Sequence, residues 1–307
     1  MTDILDLTVV IPVFNEQETL DELHTRLVAV LEKMARPYEV IMVDDGSTDG
    51  SFETLCRLNS GDSRIRVLRL ARNFGQSPAL YAGLSKARGR YVLIIDADLQ
   101  VLPEDIPLLV AKLDEGYDAV SGWRADRKDT LFRRAASKLL NRYIAGVTGL
   151  SLHDYGCSLK GIRRELVGHM VDFSHRCRYL PVDMAMLGGR FAEVVVGHSE
   201  RTRGNSKYGM LKLVRTAFDL ITGITDAPLR YIGLLGWLMS FGGFAMGIKV
   251  AANRVIYGNV NQLESVVALF FFCSGVQLVA SGMMCEYIGR IFIEVQRRPY
   301  FVVAEER

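Results

Sequence analysis

Two stretches of the chain, YEVIMVDD at 38–45 and RYVLIIDAD at 90–98, are almost wholly apolar and stop abruptly at carboxylates. A strand with no polar alternation has to be covered on both faces, so these runs predict a mostly parallel sheet with helices on either side. The flanking pattern agrees. Strand-like runs at 7–13, 38–44, 65–69 and 91–96 alternate with helical patterns at 18–34, 49–59, 77–86 and 103–113. Open α/β sheets bind ligands beyond the carboxyl ends of their strands, and this is where the polar residues collect: Asn15 and Glu16, Asp44 and Asp45, Asp96 and Asp98. No GxGxxG follows the first strand, and GxxxxGK[ST] and GxSxG are missing, which disfavours dinucleotide oxidoreductases, P-loop NTPases and α/β-hydrolases.

The chemistry implied by acids at this rim is cation chemistry. In an extended strand end, positions i and i+2 face the same way, so in DADLQ the carboxylates of Asp96 and Asp98 converge while Ala97 turns away. Carboxylates facing an anionic nucleotide need a divalent cation between them, and Mg2+ or Mn2+ accepts one or two such ligands plus diphosphate oxygens. The five histidines show no HxxxH or His/Cys spacing, so no zinc site is expected.

Composition sets the outer limits. With 307 residues, 37 Lys plus Arg against 35 Asp plus Glu and 49% hydrophobic residues, the chain is too apolar and too balanced for a disordered or nucleic-acid-coating protein. Five scattered cysteines without a C-x-x-C pair predict reduced thiols, and the acidic start MTDILDLTVV does not resemble a signal peptide.

The last third differs from the rest. Residues 231–248 and 265–285 run 18 and 21 positions without a charge, long enough for two helices to cross a bilayer. Lys207, Lys212, Arg215 and Arg230 precede the pair and Arg290, Arg297 and Arg298 follow it, so the positive-inside rule predicts that both ends are cytoplasmic. Residues 209–229 read as an interfacial amphipathic helix. The expected organisation is a catalytic domain over 1–208, that helix, a transmembrane hairpin over 230–290 with helices near 231–250 and 265–288, and a cytoplasmic tail over 291–307.

VVIPVFNEQETL, IMVDDGSTDGS, ARNFGQSPAL, DADLQ, DYGCSLKGIRRE, RGNSKYG and EYIGR together resemble the glycosyltransferase family 2 enzymes of GT-A fold that load a sugar onto a polyprenyl phosphate. EGYD, DYGC and SKY are most similar to the undecaprenyl-phosphate 4-deoxy-4-formamido-L-arabinose transferases; bactoprenol glucosyltransferases and dolichyl-phosphate mannose synthases resemble the chain less. The resemblance implies a GT-A (Rossmann-like) α/β fold with the two-helix hairpin appended. It implies that Pro12, Phe14 and Glu16 line the base and ribose pocket, with Asp44 or Asp45 contacting base or ribose. Asp96, Ala97 and Asp98 would hold diphosphate and metal, and Gln100 would face the sugar. Arg124, Arg127, Arg201 and Lys207 would bind the acceptor phosphate, since Arg forks and a Lys point charge suit phosphate. Asp154 is the candidate base or positioning group.

The implied activity is inverting, metal-dependent transfer from a nucleotide-sugar, with uracil the expected base, to undecaprenyl phosphate at the cytoplasmic face of the inner membrane, by a homo-oligomer that relatives suggest is a tetramer. Two other readings exist. A processive polysaccharide synthase would carry Q-x-x-R-W and more membrane helices, neither of which occurs here. A non-enzymatic nucleotide-sugar-binding membrane protein would have no need of an intact DADLQ.

Overall fold

The computed structural model describes residues 5–125, 152–172, 179–197, 263–296 and 299–307, with isolated positions between them. Two compact units emerge, Met1–Gly209 with Pro299–Arg307, and Met210–Arg298.

The first unit is built on one eight-stranded sheet. Its strands are β1 (Leu7–Val13), β2 (Tyr38–Asp44), β3 (Ile65–Leu70), β4 (Tyr91–Ile94), β5 (Ala119–Trp123), β6 (Lys160–Arg163), β7 (Phe191–Val195) and β8 (Val303–Glu306), in the order β7-β5-β6-β4-β1-β2-β3-β8. β4, β1, β2 and β3 are parallel, as the apolar runs require. β6 runs antiparallel to both β4 and β5, β7 is parallel to β5, and β8 closes the other edge antiparallel to β3. The fold is therefore the expected mostly parallel α/β sheet, with two antiparallel strands added.

Alternation on β1 shows how both faces are covered. Leu7, Val9, Ile11 and Val13 pack with Leu20, Leu23, Leu27 and Leu31 of α1 (Gln17–Met34) and with apolar residues of α2 (Ser51–Gly61) and α4 (Ile106–Asp114). Val10 points to the opposite face, against Leu80, Tyr81 and Leu84 of α3 (Gln76–Lys86), Met170 of α5 (Arg164–Asp172) and Met184 of α6 (Leu180–Met186). The α1 leucines fall at helical spacing, so burial rather than propensity holds that helix.

The closing strand β8 lies within the 291–307 segment, where the sequence predicts a cytoplasmic tail. It is short and charged, as edge strands tend to be, which hides it from pattern analysis. Its Glu306 accepts from Arg66 at 2.8 Å and from Lys86 at 2.7 Å. Phe301 packs into the core just before it, and Tyr300 stands edge-on to Tyr81 with ring centroids 6.0 Å apart.

In the second unit, α7 (Leu263–Val295) is one continuous helix of 33 residues, about 50 Å long at 1.5 Å per residue, and it contains the whole uncharged run 265–285. Val266 and Phe270, and farther along Met284, Ile288, Ile291 and Val295, follow one another at three- and four-residue steps and are exposed. Among the described residues no helix is long and apolar enough to cross a membrane. The expected first span near 231–250 and the interfacial helix at 209–229 lie outside the described residues.

Candidate active site

Three strand ends meet at the carboxyl rim of the first unit. After β1 the chain turns at Asn15, whose φ of 55° is left-handed, a conformation that asparagine tolerates better than most residues. The Asn15 N–H donates to Ser47 Oγ at 3.0 Å, and its Oδ1 accepts from the Thr48 N–H at 2.8 Å. Glu16 N–H donates to Ser51 Oγ at 3.0 Å. The loops after β1 and β2 are thereby laced together, and they leave Phe14 39% exposed at the rim, with Pro12 and Glu16 half-buried beside it.

Asp44 and Asp45, expected to face base or ribose, are both buried and engaged by the protein itself. Asp44 Oδ1 accepts from Ser47 N–H at 3.1 Å, while Oδ2 lies 3.4 Å from Arg69 Nε without a hydrogen bond. Asp45 accepts from the Phe74 and Gly75 N–H groups at 2.7 and 2.8 Å. Burial, and secondarily the neighbouring Asp44, raises the Asp45 carboxyl above its ordinary range despite those two donors. A cavity of about 390 Å3 opens alongside, between this loop, Arg69 at the end of β3, Arg72 just beyond it, and Glu305 on β8.

Beyond β4, which ends at Ile94, Asp96 and Asp98 are half-buried and flank the buried Ala97, with Ala97 and Asp98 in a turn rather than in the extended strand end expected from the sequence. Gln76, the first residue of α3, donates its Nε2 to Asp96 Oδ1 at 2.8 Å. Gln100 donates its N–H and its Nε2 to the two oxygens of Asp98 at 3.2 and 2.7 Å. The amide expected to face a sugar thus rests on Asp98. Leu99 between them has a φ of 57°, an uncommon conformation for a bulky residue and of the kind that clusters at functional sites. Desolvation, then the charge of Asp98, pushes the Asp96 carboxyl up to about 6, while Gln76, Ser158 and Arg124 pull the other way. Two hard carboxylates crowded until one resists ionising form a donor set that suits Mg2+ or Mn2+. Among the described residues no group of three or more His, Cys, Asp or Glu forms a closed cage, so a cation here would draw its other ligands from a diphosphate or water.

Beyond β5, Arg124 holds Asp154 with Nε at 2.7 Å and Nη2 at 3.1 Å, both side chains being 9% exposed. Asp154 also accepts from Gly156 N–H at 3.1 Å. Glu193 on β7 fixes this loop by accepting from His153 N–H at 2.8 Å and pairing with its Nδ1 at 2.8 Å, and the His153 ring stacks on Trp123 with centroids 4.3 Å apart. The structure therefore brings the candidate base and one candidate phosphate ligand together as an ion pair. Arg127, Arg201 and Lys207 lie outside the described residues. The sequence reading missed Gln76, Ser158 and Glu193. Only the position of Gln76, directly after a strand-end loop, offered a signal.

Residues 8–170 match the model of glycosyl transferase family 2, more than half of the chain. The chain belongs to glycosyl transferase family 2. Solved structures place this family 2 chain among GT-A-like folds. Mannosyl-3-phosphoglycerate synthase from Rubrobacter xylanophilus superposes with a TM-score of 0.54 at 18% identity, covering 75% of each chain. Glucosyl-3-phosphoglycerate synthase from Mycobacterium tuberculosis, in complex with Mn2+, uridine-diphosphate and phosphoglyceric acid, gives 0.51 at 20% identity over 72% of this chain and 80% of that one. The same enzyme with Mg2+ and uridine-diphosphate gives 0.51 at 21% identity over 71% and 78%. At these identities the likeness is one of fold.

Proposed function

We propose that this family 2 transferase moves a sugar from a uridine-diphosphate sugar to a polyprenyl phosphate, undecaprenyl phosphate in the first instance, at the cytoplasmic face of the inner membrane. The observation that carries the donor side is the crowded Asp96 and Asp98 pair at the end of β4, each carboxylate clamped by a glutamine amide. Both carboxylates would hold Mg2+ or Mn2+, which when bound neutralises the diphosphate that must leave. Uridine is supported by the family resemblance and by the uridine-diphosphate named in the mycobacterial complexes. The exposed Phe14 ring is the stacking surface for the base, with Pro12 and Glu16 beside it. Asp44 and Asp45 act on that pocket by shaping the loops at Ser47 and Gly75.

The acceptor phosphate oxygen would attack the anomeric carbon in a single inverting displacement. A phosphate monoester with a second pKa near 6 is largely ionised at neutral pH, so no strong base is needed. Asp154, committed to Arg124, fits a positioning role better than proton abstraction. Arg124, Arg127, Arg201 and Lys207 form the proposed cationic acceptor site. Three observations support a lipid acceptor: the two uncharged runs, the exposed apolar residues along α7, and the return of residues 299–307 to the same unit as the site. That return keeps both flanks of the 210–298 segment in one compartment, as a two-crossing hairpin demands. By resemblance the sugar is a 4-deoxy-4-formamido-L-arabinose and the assembly a tetramer.

The test is turnover. Full-length protein in detergent, given Mg2+ or Mn2+ and a panel of labelled nucleotide sugars, is offered undecaprenyl phosphate or 3-phosphoglycerate. One lipid-linked product is expected; transfer to 3-phosphoglycerate alone, or to neither, rejects the lipid acceptor.

A further inference from the structure

We infer that Gln76 is a positioning residue for the donor-site carboxylate Asp96, and that Asp45 sets it in place from a neighbouring strand end. The inference rests on the donor-site reading above and extends it to two residues outside DADLQ. The chain of contacts is short. Asp45, at the end of β2, accepts from the N–H groups of Phe74 and Gly75 at 2.7 and 2.8 Å. Gly75 takes a φ of 105°, where a side chain would be strained, and the next residue is Gln76. Its Nε2 reaches Asp96 Oδ1 at 2.8 Å.

The helix that Gln76 opens cannot drift, because Gly83 sits so close to β1 and β2 that an added Cβ would meet Val10 Cγ1 at 2.4 Å and Val43 Cγ2 at 3.1 Å. The bond direction is fixed by chemistry: an ionised carboxylate only accepts, so the amide must present its NH2 group. One lone-pair direction of Oδ1 is thereby occupied, and the rotation of the carboxylate is set. Donors that orient a ligating carboxylate typically contribute 10–100-fold to metal affinity. Gln100 serves Asp98 in the same way, but from two residues away on its own turn. Gln76 is a long-range partner of Asp96, beside Ser158, and it ties the loop after β3 to the carboxylate after β4.

The probe is Mn2+ binding, read as loss of the free-ion EPR signal when full-length protein in detergent is titrated in the presence of UDP. Gln76→Met keeps the length of the side chain and removes the donor; Mn2+ affinity should fall about tenfold. The same substitution in an Asp96→Asn background should have little further effect, because Gln76 acts through Asp96. Should Gln76→Met fail to give a folded protein by circular dichroism, Gln76→Asn, whose amide is one methylene too short, carries the test. Wild-type affinity in the Gln76 variant overturns the inference, and so does an equal tenfold loss in the Asp96→Asn background, which would mark a general structural effect. If the wild-type protein binds no Mn2+ with UDP, the donor-site reading itself fails.

Discussion

The two ends of the central sheet treat their buried acids in opposite ways. At the amino end, Glu39 on β2 is 3% exposed and surrounded by donors: Thr8 Oγ1 at 2.8 Å, Arg88 through its N–H, Nε and Nη2 at 2.8, 3.0 and 2.6 Å, and Arg66 Nη1 at 3.1 Å. Burial alone would raise its carboxyl, but Arg88, Thr8 and Arg66 outweigh that and hold it below the ordinary range. At the carboxyl end, Asp45 and Asp96 are raised and Asp44 Oδ2 has no hydrogen bond. One end satisfies its charges with the protein's own cations. The other leaves Asp45 and Asp96 raised even with amide donors in place, and left-handed Asn15 and Leu99 lie at that end. Raised carboxyls gathered at one end mark it as the working end, and the opposite end as the clamp.

Substitutions at each end should therefore fail in different ways. The largest effect is expected at the rim, where Asp98→Asn should lower transfer by about a thousandfold with an unchanged melting temperature; near-normal turnover in that variant would remove the metal role. At the clamp, Glu39→Ala should leave transfer per folded molecule intact and lower unfolding free energy by about 3 kcal/mol in urea titrations, because two arginines lose a buried partner. A loss of specific activity instead would erase the distinction between the ends.

The pH dependence sharpens the contrast. Glu39 has a lowered carboxyl, so its contribution is complete above the unfolded value near 4.5 and fades as pH falls through its folded value. The stability gap between wild type and Glu39→Ala should close in acid. Asp96 has the opposite sign. Protonation favours the metal-free fold, and that contribution is lost as pH rises from the unfolded 3.8 to about 6. Asp96→Asn should accordingly be the more stable protein at pH 7 without metal, by about 1 kcal/mol given that the group is only half-buried, with equality below pH 4. Scanning calorimetry in chelator would reveal a wild-type advantage at pH 7 if this is wrong. The smallest effect is expected for Asp45→Asn, which keeps an acceptor for only one of two amides; its kcat should fall about threefold with an unchanged donor KM, whereas a selective rise in donor KM would restore Asp45 as a nucleotide ligand.

Much of this was legible in the sequence, and the limit is physical. Runs such as YEVIMVDD fix a strand and its burial because both faces must be apolar. The i, i+2 rule expects Asp96 and Asp98 on one side of an extended strand end, but the strand stops at Ile94 and Asp98 stands in the turn beyond it. The same rule does not say whether a carboxylate at a strand end faces ligand or loop. Asp44 or Asp45 is expected to contact base or ribose, and both side chains bind the amides of Ser47, Phe74 and Gly75, contacts that depend on loop paths no periodicity encodes. Gln76 and Asp96 are 20 residues apart, and β3 and β8 pair across more than 230; nothing local announces either.

That last pairing has a consequence for the order of folding. β8 follows the long helix α7 along the chain, so the flank of β3 is covered only once everything between Leu70 and Val303 has been made. Until Val303–Glu306 zips into place, β3 presents a row of unpaired backbone groups, and a variant in which that strand cannot pair would leave the flank open to self-association.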